Sequence, residues 1–116
     1  MDLSGVKRKA DRALLEQLER QGDDMSAARH TLVFFYRRKD ERRDSELVLN
    51  PVAQRLQTAG WAICGLDADG VIAEAQRFVD PDTVNRLSEE MEAIAAEFGV
   101  DFDGWECAVI TGDASE

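Results

Sequence analysis

The sequence predicts an α+β domain built on one antiparallel sheet, and three observations carry that expectation. Helical spacing of apolar residues and short aromatic or β-branched runs alternate in the order helix, strand, helix, strand, strand, helix, strand. An Asp-Gly turn separates the two consecutive strands, and Asn50-Pro51 and Asp80-Pro81 open the two later helices. The chain has 116 residues, a size that buries roughly two-thirds of its unfolded surface around a single core.

The first element is an amphipathic helix from Val6 to Leu18, with Val6, Ala10, Ala13, Leu14 and Leu18 three or four apart, closed by Gln21-Gly22-Asp23-Asp24. His30 to Tyr36 reads as a strand that is apolar on both faces, which suits a central strand covered on both sides. Arg37 to Asp44 holds five basic and three acidic side chains and reads as a solvated loop. A helix then runs from about residue 51 to 59. A start near Ser45 is the alternative, but it places Pro51 inside the helix at a cost of about 3 kcal/mol. Trp61–Leu66 and Val71–Val79 are strands joined by Asp67-Ala68-Asp69-Gly70. Asp80 caps a helix whose stripe of Val84, Leu87, Met91, Ile94, Ala95 and Phe98 ends at Gly99. A last strand, Trp105 to Ile110, completes the series.

From residue 23 to 110 the order β-α-β-β-α-β closes into a ferredoxin-like sandwich, with strand order 4-1-3-2 and both crossover helices on one face. Residues 1–22 form an additional N-terminal helix available to cover part of the other face, and residues 111–116 form a short polar tail. In this topology Cys64 and Cys107 fall on opposite edge strands, so no disulfide joins them. Both read as small buried apolar residues.

Charge separates the two parts of the chain. Residues 1–44 hold 11 basic and 9 acidic side chains, whereas residues 45–116 hold 3 and 15 and carry a net −12 of the total −10. Such a surface repels phosphate backbones and attracts a basic protein partner, although solubility alone also accounts for it. The third strand, residues 71–79, lacks the aromatic ladder with which sheets of this kind stack RNA bases, so no direct nucleic-acid binding is expected. The longest apolar run, Leu32 to Tyr36, is far shorter than the ~20 residues of a membrane span, and the first twenty residues lack a secretory h-region. The expected compartment is the cytoplasm.

No catalytic constellation is visible. His30 is the lone histidine, the two cysteines have no ligand spacing, and the calcium-like opening Asp67-Ala68-Asp69-Gly70 has Phe78 where the closing glutamate belongs. Glu74, Glu106, Asp101 and Asp103 read as solvated carboxylates with no orienting base. Neither a nucleophile elbow nor a phosphate-binding glycine loop occurs. A non-enzyme without cofactor or metal is expected.

The stretch Phe98-Gly99-Val100-Asp101-Phe102-Asp103-Gly104-Trp105-Glu106 reads as the connection from the last helix to the last strand, with Asp103-Gly104 as a turn and Trp105 as an anchor. With Gly60-Trp61 at the second strand, it resembles the regulator of ribonuclease activity B family, also called the ribonuclease E inhibitor family. Members of that family show a tyrosine or phenylalanine followed by Asp-Gly-Trp after a helix that ends in glycine. The resemblance covers roughly residues 23 to 110. It implies a domain that binds an endoribonuclease of the ribonuclease E type and lowers its activity, with Trp61, Asp101, Asp103, Gly104, Trp105 and Glu106 as partner-binding candidates. The best-known members continue into a long acidic tail, whereas Thr111-Gly112-Asp113-Ala114-Ser115-Glu116 follows the last strand here. The competing expectation is a ferredoxin-like module that senses a small molecule or dimerises. Monomer and homodimer both fit the sequence.

Overall fold

A computed structural model describes residues 2–111, so the expected polar tail lies outside the described residues except for Thr111. The elements are α1 (Lys9–Arg20), β1 (Arg29–Tyr36), α2 (Ser45–Thr58), β2 (Ala62–Leu66), β3 (Gly70–Arg77), α3 (Pro81–Phe98) and β4 (Asp101–Cys107). The four strands form one antiparallel sheet in the order β2-β3-β1-β4. β1 is therefore a central strand, and β2 and β4 are the edges carrying Cys64 and Cys107, both free thiols.

Side-chain alternation gives the sheet two unlike faces. On β1, Arg29, Thr31, Val33 and Phe35 are buried. Their cross-strand partners Val71, Ala73 and Trp105 are buried on the same side. Val52 and Leu56 of α2 and Val84 and Met91 of α3 complete this core. The opposite face is not covered as the apolar run of β1 suggests: Leu32 and Phe34 are half-buried, and His30 and Tyr36 are exposed. Helix α1 is tied elsewhere. Lys7 and Arg8 at its start pair with Glu89 and Glu92 of α3, and Asn85 bonds the backbone of Gly5 and Lys7. The buried stripe of α1 is Asp11, Leu15 and Leu18, one residue round from the expected one, while Ala10 and Ala13 are exposed.

Helix α2 begins at Ser45, so Pro51 does lie inside it. The extra turn buries Val48 and Leu49, each 1% exposed. Burying two such side chains contributes about 1.5–3 kcal/mol apiece, which exceeds the ~3 kcal/mol of one interior proline. The Ser45 hydroxyl also donates to the Ala68 carbonyl, 2.9 Å away.

The β2–β3 turn is held by Asp67, whose side chain accepts from the backbone N–H groups of Asp69 and Gly70 at 2.8 and 3.1 Å. Gly70 does not take a left-handed turn conformation; it opens β3, where a Cβ would lie 2.3 Å from the Phe35 carbonyl oxygen. Cys64 is exposed rather than buried, because it is the extra residue of a bulge between Ile63 and Gly65 on an edge strand. The basic loop folds partly on itself: Arg43 forks onto Glu41, and Arg37 donates to the carbonyls of Glu41 and Arg43.

At the far end of β1, Arg29 is fully buried and pairs with Asp23 at 2.5 Å. Its guanidinium also donates to the carbonyls of Asp24, Ala27 and Ala108, while Asp23 accepts from the Ile110 N–H. The chain before β1 and the chain after β4 thus meet on one cation. Removing one partner of a buried pair costs about 3–5 kcal/mol. Arg29→Met should lose that much in urea unfolding, and Asp23→Leu/Arg29→Met should lose far less than the sum of the single changes. Additive losses would mean that the two charges do not act as a unit.

Helix α3 starts at a capped aspartate: Asp80 accepts from the Thr83 N–H at 3.1 Å and from the Thr83 hydroxyl at 2.6 Å. The Thr83 hydroxyl, against a smaller opposing effect of burial, holds the Asp80 carboxyl below its ordinary value. Its stabilisation is therefore complete above the unfolded-state pKa of about 3.9 and is lost as pH falls through the depressed folded value. Asp80→Ala should cost about 1 kcal/mol at pH 7 by thermal or urea unfolding. The gap to the parent should narrow only on acidification below about pH 4; a gap already closed at pH 6 would contradict the cap.

Candidate functional site

Strand β4 starts at Asp101, four residues earlier than expected, so Phe102-Asp103-Gly104-Trp105 belongs to the sheet rather than to a connecting turn. Gly99 still ends α3 at φ 70°, but the second glycine has a different task. The register of β1 against β4 passes from Phe34↔Gly104 to Phe35↔Phe102, which leaves Asp103 as the extra residue of a bulge. Gly104 supplies the bulge at φ 109°. Nothing lies within 4 Å of a Cβ placed there, so conformation and not space demands glycine.

The bulge lets Asp103 and Trp105, two residues apart, face opposite ways. Trp105 is only 7% exposed and enters the core, where its indole N–H donates to Asp11 at 2.9 Å. The other oxygen of Asp11 accepts from the Ser88 hydroxyl at 2.5 Å. One buried carboxylate therefore joins α1, β4 and α3. Asp103 and Glu106 are exposed, and neither carboxylate has a hydrogen-bond or ion-pair partner among the described residues. Asp101, also exposed, faces Arg38 at 3.3 Å.

These residues border a groove of about 470 Å³ between α1 and the uncovered sheet face. Arg8, Ala10 and Leu14 line it from α1, Phe34 and Tyr36 from β1, and the stretch from Phe102 to Glu106 from β4. Tyr36 is 39% exposed, so its ring is open to a visitor. Arg8 places its guanidinium carbon 5.8 Å from the centre of the Phe102 ring while bonding Glu92 at 3.0 Å.

Of the six sequence candidates, Asp103, Gly104, Trp105 and Glu106 come together at this groove, and Asp101 lies at the start of the same strand. Trp61 does not join them. It precedes the opposite edge strand, is 3% exposed, and carries the Arg77 guanidinium 4.6 Å above its ring. Neither tryptophan presents its ring to solvent, so both support the surface rather than form it. Sequence reasoning missed Asp11, Ser88, Phe34 and Tyr36. The spacing of Asp11 with Leu15 and Leu18, and of Ser88 with Val84 and Met91, was the available sign that two polar residues sit on buried helix stripes.

Among the described residues no cluster of three or more His, Cys, Asp or Glu side chains could hold a metal ion, and no helix is long and apolar enough to cross a membrane. His30 bonds Glu74 at 2.9 Å on the uncovered face. A Trp105→Phe substitution keeps most of the buried ring but removes the indole donor, leaving Asp11 short of one partner. It should cost about 1–3 kcal/mol in urea unfolding, and a variant as stable as the parent would remove the Asp11 bond from the role of Trp105.

Residues 8–107 match the protein family described as regulator of ribonuclease activity B. No curated protein and no solved structure gives a significant match. The matched span starts one residue before α1 and ends on the last residue of β4, so it takes in the N-terminal helix, which the 23–110 resemblance left out, and the whole sheet. With every helix and strand inside that span, the chain belongs to the regulator of ribonuclease activity B family.

Proposed function

We propose that the chain is a non-catalytic regulator that binds an endoribonuclease of the ribonuclease E type in the cytoplasm and lowers its activity. The family match over residues 8–107 carries this reading. The surface supports it. Residues 45–116 hold a net −12, and two carboxylates of β4 are left without a cation of their own beside exposed aromatic carbon. A basic protein surface answers both features, whereas an RNA backbone would be repelled. In this reading the β-α-β-β-α-β portion is ferredoxin-like and α1 is an addition that borders the open face. The groove is open and carries charged groups, unlike the largely enclosed apolar pockets that hold small metabolites.

The test is a binding and cleavage assay with the ribonuclease E homologue of the same cell. A complex should form at low ionic strength and associate more slowly as salt rises, because screening removes electrostatic steering. Cleavage of an RNA substrate should fall as the regulator approaches stoichiometric amounts, with no shift of the RNA by the regulator alone. Absence of a complex at low salt would reject the assignment.

A further inference from the structure

We infer that the groove between α1 and the open sheet face is the docking site for an arginine side chain on an extended segment of the protein partner. This rests on the reading that the chain binds a basic protein, and goes beyond it by naming the contact. Asp103 and Glu106 are exposed carboxylates on one strand with no partner among the described residues. Glu89, Glu92 and Glu97 of α3 and Asp101 of β4, by contrast, already face Lys7, Arg8, Arg55 and Arg38. Glu46, Asp82 and Glu90 are also unpaired among the described residues, but the grooves they line hold no aromatic ring, whereas here uncompensated charge and aromatic rings border one concavity.

The aromatic lining selects among cations. Phe34 and Tyr36 stand beside the carboxylates, and the same groove already stacks one guanidinium, that of Arg8, on Phe102. A planar guanidinium can lie on a ring and donate in a fork to carboxylates at its edge; a lysine ammonium, compact and strongly hydrated, does the first poorly and the second not at all. An extended segment can place single side chains into the groove.

The experiment uses the full chain, isotope-labelled, titrated with blocked Gly-Arg-Gly and blocked Gly-Lys-Gly peptides and followed by amide shifts. Arginine should perturb Phe34, Tyr36 and residues 103–106 and bind more tightly than lysine. Asp103→Asn/Glu106→Gln should weaken the arginine peptide about tenfold. Glu46→Gln/Glu90→Gln, which removes the same charge from two exposed positions outside the groove, should leave it near the parent value. Shifts spread over α3, equal binding of the two peptides, or equal losses in the two double variants would overturn the inference. The same variants are then assayed against the ribonuclease. If the parent and the groove variant bind it equally, the groove assignment fails while the regulatory function stands. If the arginine peptide seats in the groove but the parent does not bind the ribonuclease, the function fails and the groove assignment stands.

Discussion

A single buried carboxylate ties the N-terminal helix to the rest of this molecule. Asp11 sits on the inward stripe of α1 and accepts hydrogen bonds from the indole N–H of Trp105 and the hydroxyl of Ser88, so that the leading helix, an edge strand and the long helix converge on two oxygen atoms. A polar group in such a place is tolerated only because its partners are provided, and losing one leaves a desolvation cost rather than a neutral gap. The surface ion pairs along the α1–α3 seam, Lys7–Glu89 and Arg8–Glu92, are solvent-exposed and individually worth no more than about 1 kcal/mol. They align the helix; Asp11 fixes it. Together with buried Leu15 and Leu18, the Asp11 bonds set where α1 lies against β4 and so place one wall of the groove.

β4 is held by buried charge at two points, within the strand and just beyond its end. Trp105 engages Asp11 near its middle, and beyond Cys107 the chain is caught by the Asp23–Arg29 pair through Ala108 and Ile110. The bulge at Asp103 lies within the first part of the strand, and it reconciles two demands on residues two apart, which a regular strand would turn to one face: an indole in the core and a carboxylate in water. Residues that look like a recognition motif in the sequence thus divide their labour. Trp105 and Gly104 build the strand, and Asp103 and Glu106 are what it presents.

Much of this was legible in the sequence, and the failures have physical causes. The long helix from Asp80 to Gly99 was readable because an Asx cap, a proline in the first turn, an unbroken stripe and a terminal glycine all agree. Strand pairing followed from element order and turn spacing. Pro51 is a poor guide to where α2 begins because its local cost is offset by the tertiary burial of Val48 and Leu49, which only the folded core supplies. Asp103-Gly104 was readable as a turn or as a bulge, and pairing with β1 decides between them; that pairing is non-local. The two tryptophans were natural candidates for contact because large aromatics dominate interfaces, but they dominate cores too. The candidate groove was invisible for a simpler reason. Its walls come from residues near 10, 35 and 105, and no local pattern marks their approach.

Bulges occur on both outer strands, at Cys64 on β2 and at Asp103 on β4. An edge strand with regular spacing offers its free amides and carbonyls as a template for another chain, which is how sheet proteins aggregate. Here each edge is locally twisted out of register, β2 is only five residues long, and Asp103 places a negative charge where a new strand would begin to pair. The distortion that turns Asp103 toward solvent therefore also makes the β4 edge a poor template for another strand, so one backbone irregularity both exposes a charge and blunts an edge.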